Sequence, residues 1–375
     1  MLVGQYQFTE SGWTLSGGVE PSRPDLVLIF GSAEPASMRG AVAAMRAGFP
    51  KAQIAGCTTG GEMIAGRLLD GGIVAAALQL EQSHVQTHSA KIASRRDSFA
   101  VGRRLGQAIA APGLKGVLVL AEGIDCDGSL LLSGLGDVIG DDIPVFGGLA
   151  ADGLDFIVTR VAANGPFESG QAVAVGFYGH DIVIGHGTGA GWQPYNSIGD
   201  ITNSAGSIIY EIDGRPALEV LREAGKLGPS VSFRDLMTLP LWITDPARSR
   251  AGIIRTVVGI DEDRGSVIMA GDLPRHGGCS IMRATAGEIA AGATQAASQA
   301  RAGAKHGLAL SVSSIGRKVL LGARANIEVD AVTQAIGGLP QIGFYAYGEI
   351  SRQSGESCRF LNQSMCVTII GERLR

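Results

Sequence analysis

In this 375-residue chain the first candidates for chemistry are the carboxylates and small polar residues that close three similar phrases. Pro50 to Glu62 reads Pro-Lys-Ala-Gln-Ile-Ala-Gly-Cys-Thr-Thr-Gly-Gly-Glu, and shorter cousins run from Pro144 to Asp152 and from Pro340 to Glu349. Glu62, Asp152 and Glu349 each follow a small-residue turn. Carboxyls of ordinary pKa, about 4.3, are ionised at neutral pH and suit an amine ligand. A catalytic acid/base pair would need two of them to face one substrate with separated pKa values. The structural alternative is that each carboxylate holds the backbone amides of its own turn. Cys57 offers a thiol that could be a nucleophile or the thiolate ligand of an iron cofactor, or a small packed residue at a strand exit. Thr58 and Thr59 could hydrogen-bond a polar ligand. Gly56, Gly61, Gly147 and Gly148 would let one approach the backbone closely.

A second set is built around histidine. His186 ends the apolar run Asp181–Gly185 and opens Gly187-Thr188-Gly189-Ala190-Gly191-Trp192. Such an exit could admit a flat cofactor, with Trp192 stacked on it and His186 ligating its metal; the plainer reading is a turn histidine. His84 and His88 lie four apart in a strand-like stretch with no third ligand, and His180, His276 and His306 sit beside glycine or in polar turns. Asp125-Cys126-Asp127-Gly128 lacks the glutamate that would close a calcium loop and reads as a turn or helix cap. Tyr345 and Tyr347 alternate along a strand, so their shared face either lines a pocket or packs on a helix.

The elements that must position these residues repeat. Leu26–Phe30 with Gly31-Ser32, a helix near 38–47 and a strand around Ile54 read as strand, helix, strand. Gly116–Leu120, a helix over 130–139 and Val145-Phe146 repeat that order. So do Leu308–Val312, a helix over 329–336 and Gln341–Phe344. Between them lie β-rich stretches at 72–80, 172–177, 181–186, 253–260 and 267–270, with Asp261–Gly265 a hairpin turn. A helix follows the Asp213-Gly214 turn, and an Ala-rich helix spans about 283–304. The expectation is a mixed α/β or α+β protein of repeated strand-helix-strand units and antiparallel hairpins, in two domains divided near residue 205. No dinucleotide or P-loop glycine fingerprint links a strand to a helix.

Composition bounds the rest. The hydrophobic share is 45%, the charged share 18% and the mean hydropathy +0.21, which excludes a disordered chain and leaves room for a homo-oligomer. A net charge of −4 without a basic stripe gives no nucleic-acid signal. The apolar runs are too short to span a bilayer, so no membrane partner is expected. Five unpaired-looking cysteines (Cys57, Cys126, Cys279, Cys358, Cys366) fit a reducing, cytoplasmic setting.

Five landmarks in order carry a family resemblance: Gly-Cys-Thr-Thr-Gly-Gly-Glu at 56–62, Phe-Gly-Gly-Leu-Ala-Ala-Asp at 146–152, Tyr-Glu-Ile-Asp-Gly-Arg-Pro-Ala-Leu at 210–218, Val-Gly-Ile-Asp-Glu-Asp at 258–263, and the stretch 343–370. Together they resemble FIST-domain proteins over about 25–370. The resemblance implies an N-terminal FIST domain over 25–205 and a C-terminal one over 206–370, in a module that binds a small ligand and signals rather than catalyses. It further implies a separate partner, such as a histidine kinase or a cyclic-di-GMP enzyme. Relatives of this size include haem proteins that sense nitric oxide. Leu361 stands where many relatives carry a histidine just before Asn362-Gln363, so a haem here would need another ligand, for which His186 is the candidate. The expected pocket comprises Gly56, Cys57, Thr58, Thr59, Gly61, Glu62, Gly147, Gly148, Asp152, Tyr345, Tyr347, Glu349 and Asn362. Haem with nitric oxide, an amino acid or similar polar metabolite without haem, and cysteine-dependent hydrolysis at Cys57 stand as alternatives.

Overall fold

The three strand-helix-strand units become three six-stranded sheets whose inner faces meet in one core. The structure is a computed structural model that describes residues 1–31, 35–228, 230–245, 252–352 and 359–373. Ser32 and Cys358 lie outside the described residues. In each unit a leading strand runs parallel to a following strand: Leu26–Gly31 with Gln53–Thr58, Leu114–Ala121 with Val145–Leu149, and Leu308–Ser314 with Gln341–Ala346. A closing strand (Ile73–Gln79, Gln171–Tyr178 or Met365–Glu372) flanks the leading strand antiparallel. An outer strand (Leu2–Thr9, His84–Lys91 or Ile182–Gly189) flanks that in turn. The parallel pairs require helical crossovers. These are Pro35–Gly48, Gly128–Ile139, and the pair Ile315–Leu321 and Asn326–Ala335.

Strand period decides which side chains meet. Leu26, Leu28 and Phe30 point to the shared core together with Leu118, Leu120, Leu308, Leu310 and Val312. The alternate residues Val27 and Ile29, Val117 and Val119, and Ala309 face outward into three separate helix-covered layers. Sheets covered on both faces explain the apolar composition. Each fully buried leucine or phenylalanine on the common axis contributes roughly 1.5–3 kcal/mol.

The sheets are completed by exchange. After its following strand, each unit sends a short strand into a different sheet. Glu62–Ile64 pairs with Gln341–Ala346, Glu349–Arg352 with Val145–Leu149, and Val161–Ala163 with Gln53–Thr58. A ring of backbone hydrogen bonds repeats the same cycle at the strand ends. Gly60 N donates to Tyr345 O (2.8 Å), Tyr347 N to Leu149 O (3.3 Å) and Ala151 N to Thr58 O (2.9 Å). The return bonds run from Tyr345 N to Gly61 O, Leu149 N to Gly348 O and Thr58 N to Arg160 O, each 2.9 Å. The thrice-used phrase is therefore the corner of a three-fold pseudo-symmetric body.

The third unit is interrupted. Between its outer strand and the helix Ala286–Gly303 the chain builds a lobe with its own core around Ile209, Leu221, Leu236 and Ile281. Its eight-stranded sheet carries the hairpin Val257–Asp261/Ser266–Met269, whose turn is the expected Asp261–Gly265. The residue 205/206 division read from sequence falls at the tip of the lobe hairpin Gln193–Ala205/Ile208–Ile212. No described helix is long and apolar enough to cross a membrane.

Candidate functional site

The recurring glycines of the phrase serve the sheets. Gly56, Gly147 and Gly343 occupy the same register in the three units. A Cβ on each would sit 2.0–2.2 Å from the carbonyl of Ile29, Val119 or Ser311 on the paired parallel strand. Gly148 is similarly pressed against Val312 and Gly348. At Gly61 the backbone has φ +132°, a conformation that favours glycine. The close approach expected of Gly56 and Gly147 is thus to another backbone, in place of a ligand.

Glu62 and Glu349 are equivalent corners. Each begins an exchanged strand, is fully buried, and accepts the amide of the residue just before a closing strand: Gly72 N to Glu62 Oε2 at 3.0 Å, and Ser364 N to Glu349 Oε2 at 2.9 Å. Thr59 Oγ1 also donates to Glu62 Oε1. Thr58 Oγ1 accepts Arg160 N at 3.0 Å. These residues hold the corner. Burial pushes the Glu349 carboxyl well above the usual range, against the lowering effect of the Ser364 amide.

Cys57 lies in the shared core with no exposed surface, and burial followed by the nearby Glu62 pushes its thiol well up. A nucleophile needs accessible thiolate, so the residue does not support cysteine-dependent hydrolysis. Tyr345 is equally buried and donates to Glu328 Oε1 at 2.7 Å, beside the buried Arg317–Glu328 pair. Of the two tyrosines, Tyr345 packs under the helices. The strand ends at Ala346, and Tyr347 beyond it is only partly buried, packed against that layer and the second unit's layer alike. Asn362 Oδ1 accepts Thr256 N at 3.3 Å and joins the lobe to the body.

His186 corrects the cofactor expectation. The strand does not end there but runs on to Gly189. Its Nδ1 is 2.7 Å from Thr368 Oγ1 and its Nε2 2.6 Å from Ser351 Oγ, while burial lowers its pKa to about 4. Both ring nitrogens are engaged in the protein interior. A Cβ at Gly185, Gly187, Gly189 or Gly191 would fall 2.0–2.2 Å from the carbonyls of Ala300, Ala296, Gly292 and Glu288. Two strand residues advance about 6.7 Å and four helix residues about 6 Å, so each alternate glycine meets one helical turn. The glycine-rich exit is filled by this helix. Trp192 is buried with Nε1 donating to Gln363 O at 3.1 Å. These residues do not fit a haem. Among the described residues no group of three His, Cys, Asp or Glu side chains is placed to hold a metal.

The open site lies where the pseudo-symmetry breaks. In the second unit the exchanged strand is delayed by an insertion over 152–159, and Val161 takes the position that Glu62 and Glu349 hold elsewhere. Asp152 therefore belongs to the inserted loop. Its carboxylate accepts the amides of Phe156 (3.0 Å), Ile157 (2.8 Å) and Val158 (2.8 Å), and the Tyr347 hydroxyl donates to it. Phe156 is held at φ +53°, a left-handed conformation that costs an aromatic residue roughly 1–2 kcal/mol. Burial and then Asp152 raise the Tyr347 phenol, which stays protonated.

Beneath this loop is a cavity of about 530 Å³ between the second unit and the lobe. Tyr347, Phe156, Phe233 and Phe360 give it an aromatic wall, and Arg95 and Asp155 are its charged side chains. Neither Arg95 nor Asp155 forms an ion pair among the described residues. Its other walls are the strand exits Gly123 and Leu149 and the lobe segment 268–271. It sits beyond the carboxyl ends of a parallel pair, the usual place for a ligand in such sheets. Of the thirteen residues expected at the site, Tyr347 lines this cavity and Asp152 supports it. Phe156, Phe233, Phe360, Arg95 and Asp155 were missed. One signal could have found the loop: eleven residues, 150–160, separate the second phrase's strand from its exchanged strand, against three at 59–61 and two at 347–348.

Comparison with known proteins follows this architecture. Residues 25–215 match the model of the FIST N domain and residues 217–352 that of the FIST C domain, which fits the two-domain mixed α+β organisation. An uncharacterized protein of Methanocaldococcus jannaschii is 31% identical over 123 residues, 29% of this chain and 23% of its own length. The chain thus spans less than a quarter of that curated relative. Among solved structures, cyanuric acid hydrolase from A. caulinodans aligns with a TM-score of 0.20 and 13% identity, over 78% of this chain and all of that one. That likeness is too slight to bear on fold or function.

Proposed function

Because the chain belongs to the FIST family of small-ligand sensory domains in signalling, we propose that it senses an amino acid, or a similar metabolite with both charged ends and an apolar group, in the cavity between the second unit and the lobe. The observation that carries this reading is the pairing of a cation and an anion, Arg95 and Asp155, neither in an ion pair among the described residues, with an aromatic wall in a single cavity of about 530 Å³. A carboxylate would meet Arg95, an ammonium Asp155, and the apolar group the rings of Phe156, Phe233 and Phe360. The volume lies in the range of small-molecule sites, about 300–1,000 Å³. This reading needs no haem, and the output passes to a separate signalling protein such as a histidine kinase or a cyclic-di-GMP enzyme.

The test is a thermal-shift and calorimetric screen of the whole chain against the twenty amino acids. At least one should raise the melting temperature, because a ligand at a hundred times its Kd stabilises by about 2.7 kcal/mol. Arg95→Gln and Asp155→Asn should each weaken that ligand about tenfold or more. Absence of any binder, or binding unchanged by both substitutions, overturns the reading.

A further inference from the structure

The cavity is bounded by two bodies, and one side chain touches a residue of each. Phe156 stacks on Tyr347 of the three-sheet body with ring centroids 4.2 Å apart and planes 6° apart. It meets Phe233 of the lobe edge-on at 4.7 Å and 74°. All three rings line the cavity. Phe233 opens the helix Phe233–Met237, whose last carbonyl accepts Gln363 Nε2 at 2.9 Å. A continuous path therefore runs from the body through the inserted loop into the lobe.

One carboxylate fixes the loop end of that path. Asp152 accepts three consecutive amides, which hold Phe156 in its left-handed conformation, and it also accepts the Tyr347 hydroxyl on which the stack depends. Other ties between lobe and body lie on the segment 360–363: Thr256 N to Asn362 Oδ1, Arg255 Nη1 to Phe360 O at 3.0 Å, and Gln363 Nε2 to Met237 O and to Thr256 Oγ1 (3.1 Å). The loop is thus a separate tie, and through Phe156 it forms the cavity wall together with Phe360.

We infer that the inserted loop 152–159 couples the cavity to the lobe, with Phe156 as the wedge and Asp152 as its positioning residue. This rests on reading the cavity as the ligand site: whatever enters must touch the same rings that set the lobe against the body. A ligand that binds one arrangement of those rings better than another shifts the lobe by that difference in affinity.

Amide hydrogen exchange on the whole ligand-free protein tests the coupling without any ligand. Phe156→Gly removes the ring while glycine keeps the left-handed backbone and the three amide bonds. It should leave residues 156–158 protected and raise exchange in Phe233–Met237 about tenfold. Asp152→Asn should raise exchange in both segments by about that factor. Wild-type protection of Phe233–Met237 in the glycine variant overturns the inference, as does an Asp152→Asn effect confined to the loop. If the glycine variant loses its cooperative melt, Phe233→Leu makes the comparison from the lobe side: the inference then requires exchange at 156–158 to rise and fails if it does not. The amino-acid screen decides separately whether the cavity holds the proposed ligand, so failure of one does not imply failure of the other.

Discussion

Glu62 and Glu349 hold the same corner in two units and differ in one neighbour. Three residues before Glu62 stands Thr59, whose hydroxyl donates to Oε1; three before Glu349 stands Ala346, and Glu349 Oε1 is buried with no hydrogen-bond partner. Two before Glu62 is Gly60, and two before Glu349 is Tyr347, which reaches the cavity. The first corner is a fully satisfied piece of scaffold. The third has given up a hydroxyl and gained a residue that lines the cavity. The second has lost the carboxylate to Val161 and spends its extra residues on the wedge loop. The pseudo-symmetric body thus acquires its cavity where two of its three corners depart from the shared pattern, on the side where the lobe attaches.

The largest effect expected from this difference is in pH dependence. Burial raises the folded pKa of Glu349 above its unfolded value. Its contribution to stability is therefore fully present below the unfolded value, about 4.3, and is lost as pH rises toward the raised folded value. Glu349→Gln removes that loss. Denaturant unfolding should find the two proteins equal near pH 4 and the variant increasingly more stable above it, by up to about 1.4 kcal/mol per pH unit within the window. A variant less stable than wild type at pH 8 would show that the carboxyl is stabilised in its ionised form after all.

A smaller loss follows at the intact corner. Thr59→Val keeps the shape but removes the donor to Glu62 and the acceptor of Gly61 N (3.2 Å). The expected cost is about 2 kcal/mol, the range for a buried hydrogen bond to a carboxyl group. Urea midpoints would check it, and a change under about 0.5 kcal/mol would make the two corners energetically alike.

Much of this frame was legible in the sequence. The three parallel pairs, their crossover helices apart from Ile315–Leu321, and the hairpin at Asp261–Gly265 followed from apolar periodicity and turn residues. So did the cap of the helix Gly128–Ile139, where Asp127 Oδ1 accepts Leu130 N at 3.0 Å. These are local effects. The cyclic exchange was not legible, because the choice of partner for a three-residue strand such as Glu62–Ile64 is made by a sheet almost three hundred residues away. The glycines were visible, but the carbonyls they face belong to other strands. His186 followed glycine in an apolar run and looked like a strand exit; only the pairing with Met365–Glu372 places it inside. The aromatic wall was missed because its members come from the loop, the lobe and the last edge strand, which share no motif.

The smallest effect is also the most direct repair of the difference. Ala346→Ser places one hydroxyl where Thr59 stands in the first unit, within reach of the unpartnered Glu349 Oε1. Ala346 packs in the shared core, but Gly148 opposite it has no side chain, so a single oxygen should fit where a threonine would crowd. Two terms compete. Burying a hydroxyl costs free energy unless it is bonded, and a bond to a carboxyl that otherwise lacks one returns about 1.5–3 kcal/mol, leaving a net gain of roughly 0.5–1 kcal/mol. The donor also favours the ionised carboxyl, so the pH slope predicted for wild type should flatten. Unfolding at pH 6 and pH 8 reads both. A serine variant that is less stable at both values, with the wild-type slope unchanged, would mean that the hydroxyl never reaches Glu349 and that the two corners differ in shape as well as in one side chain.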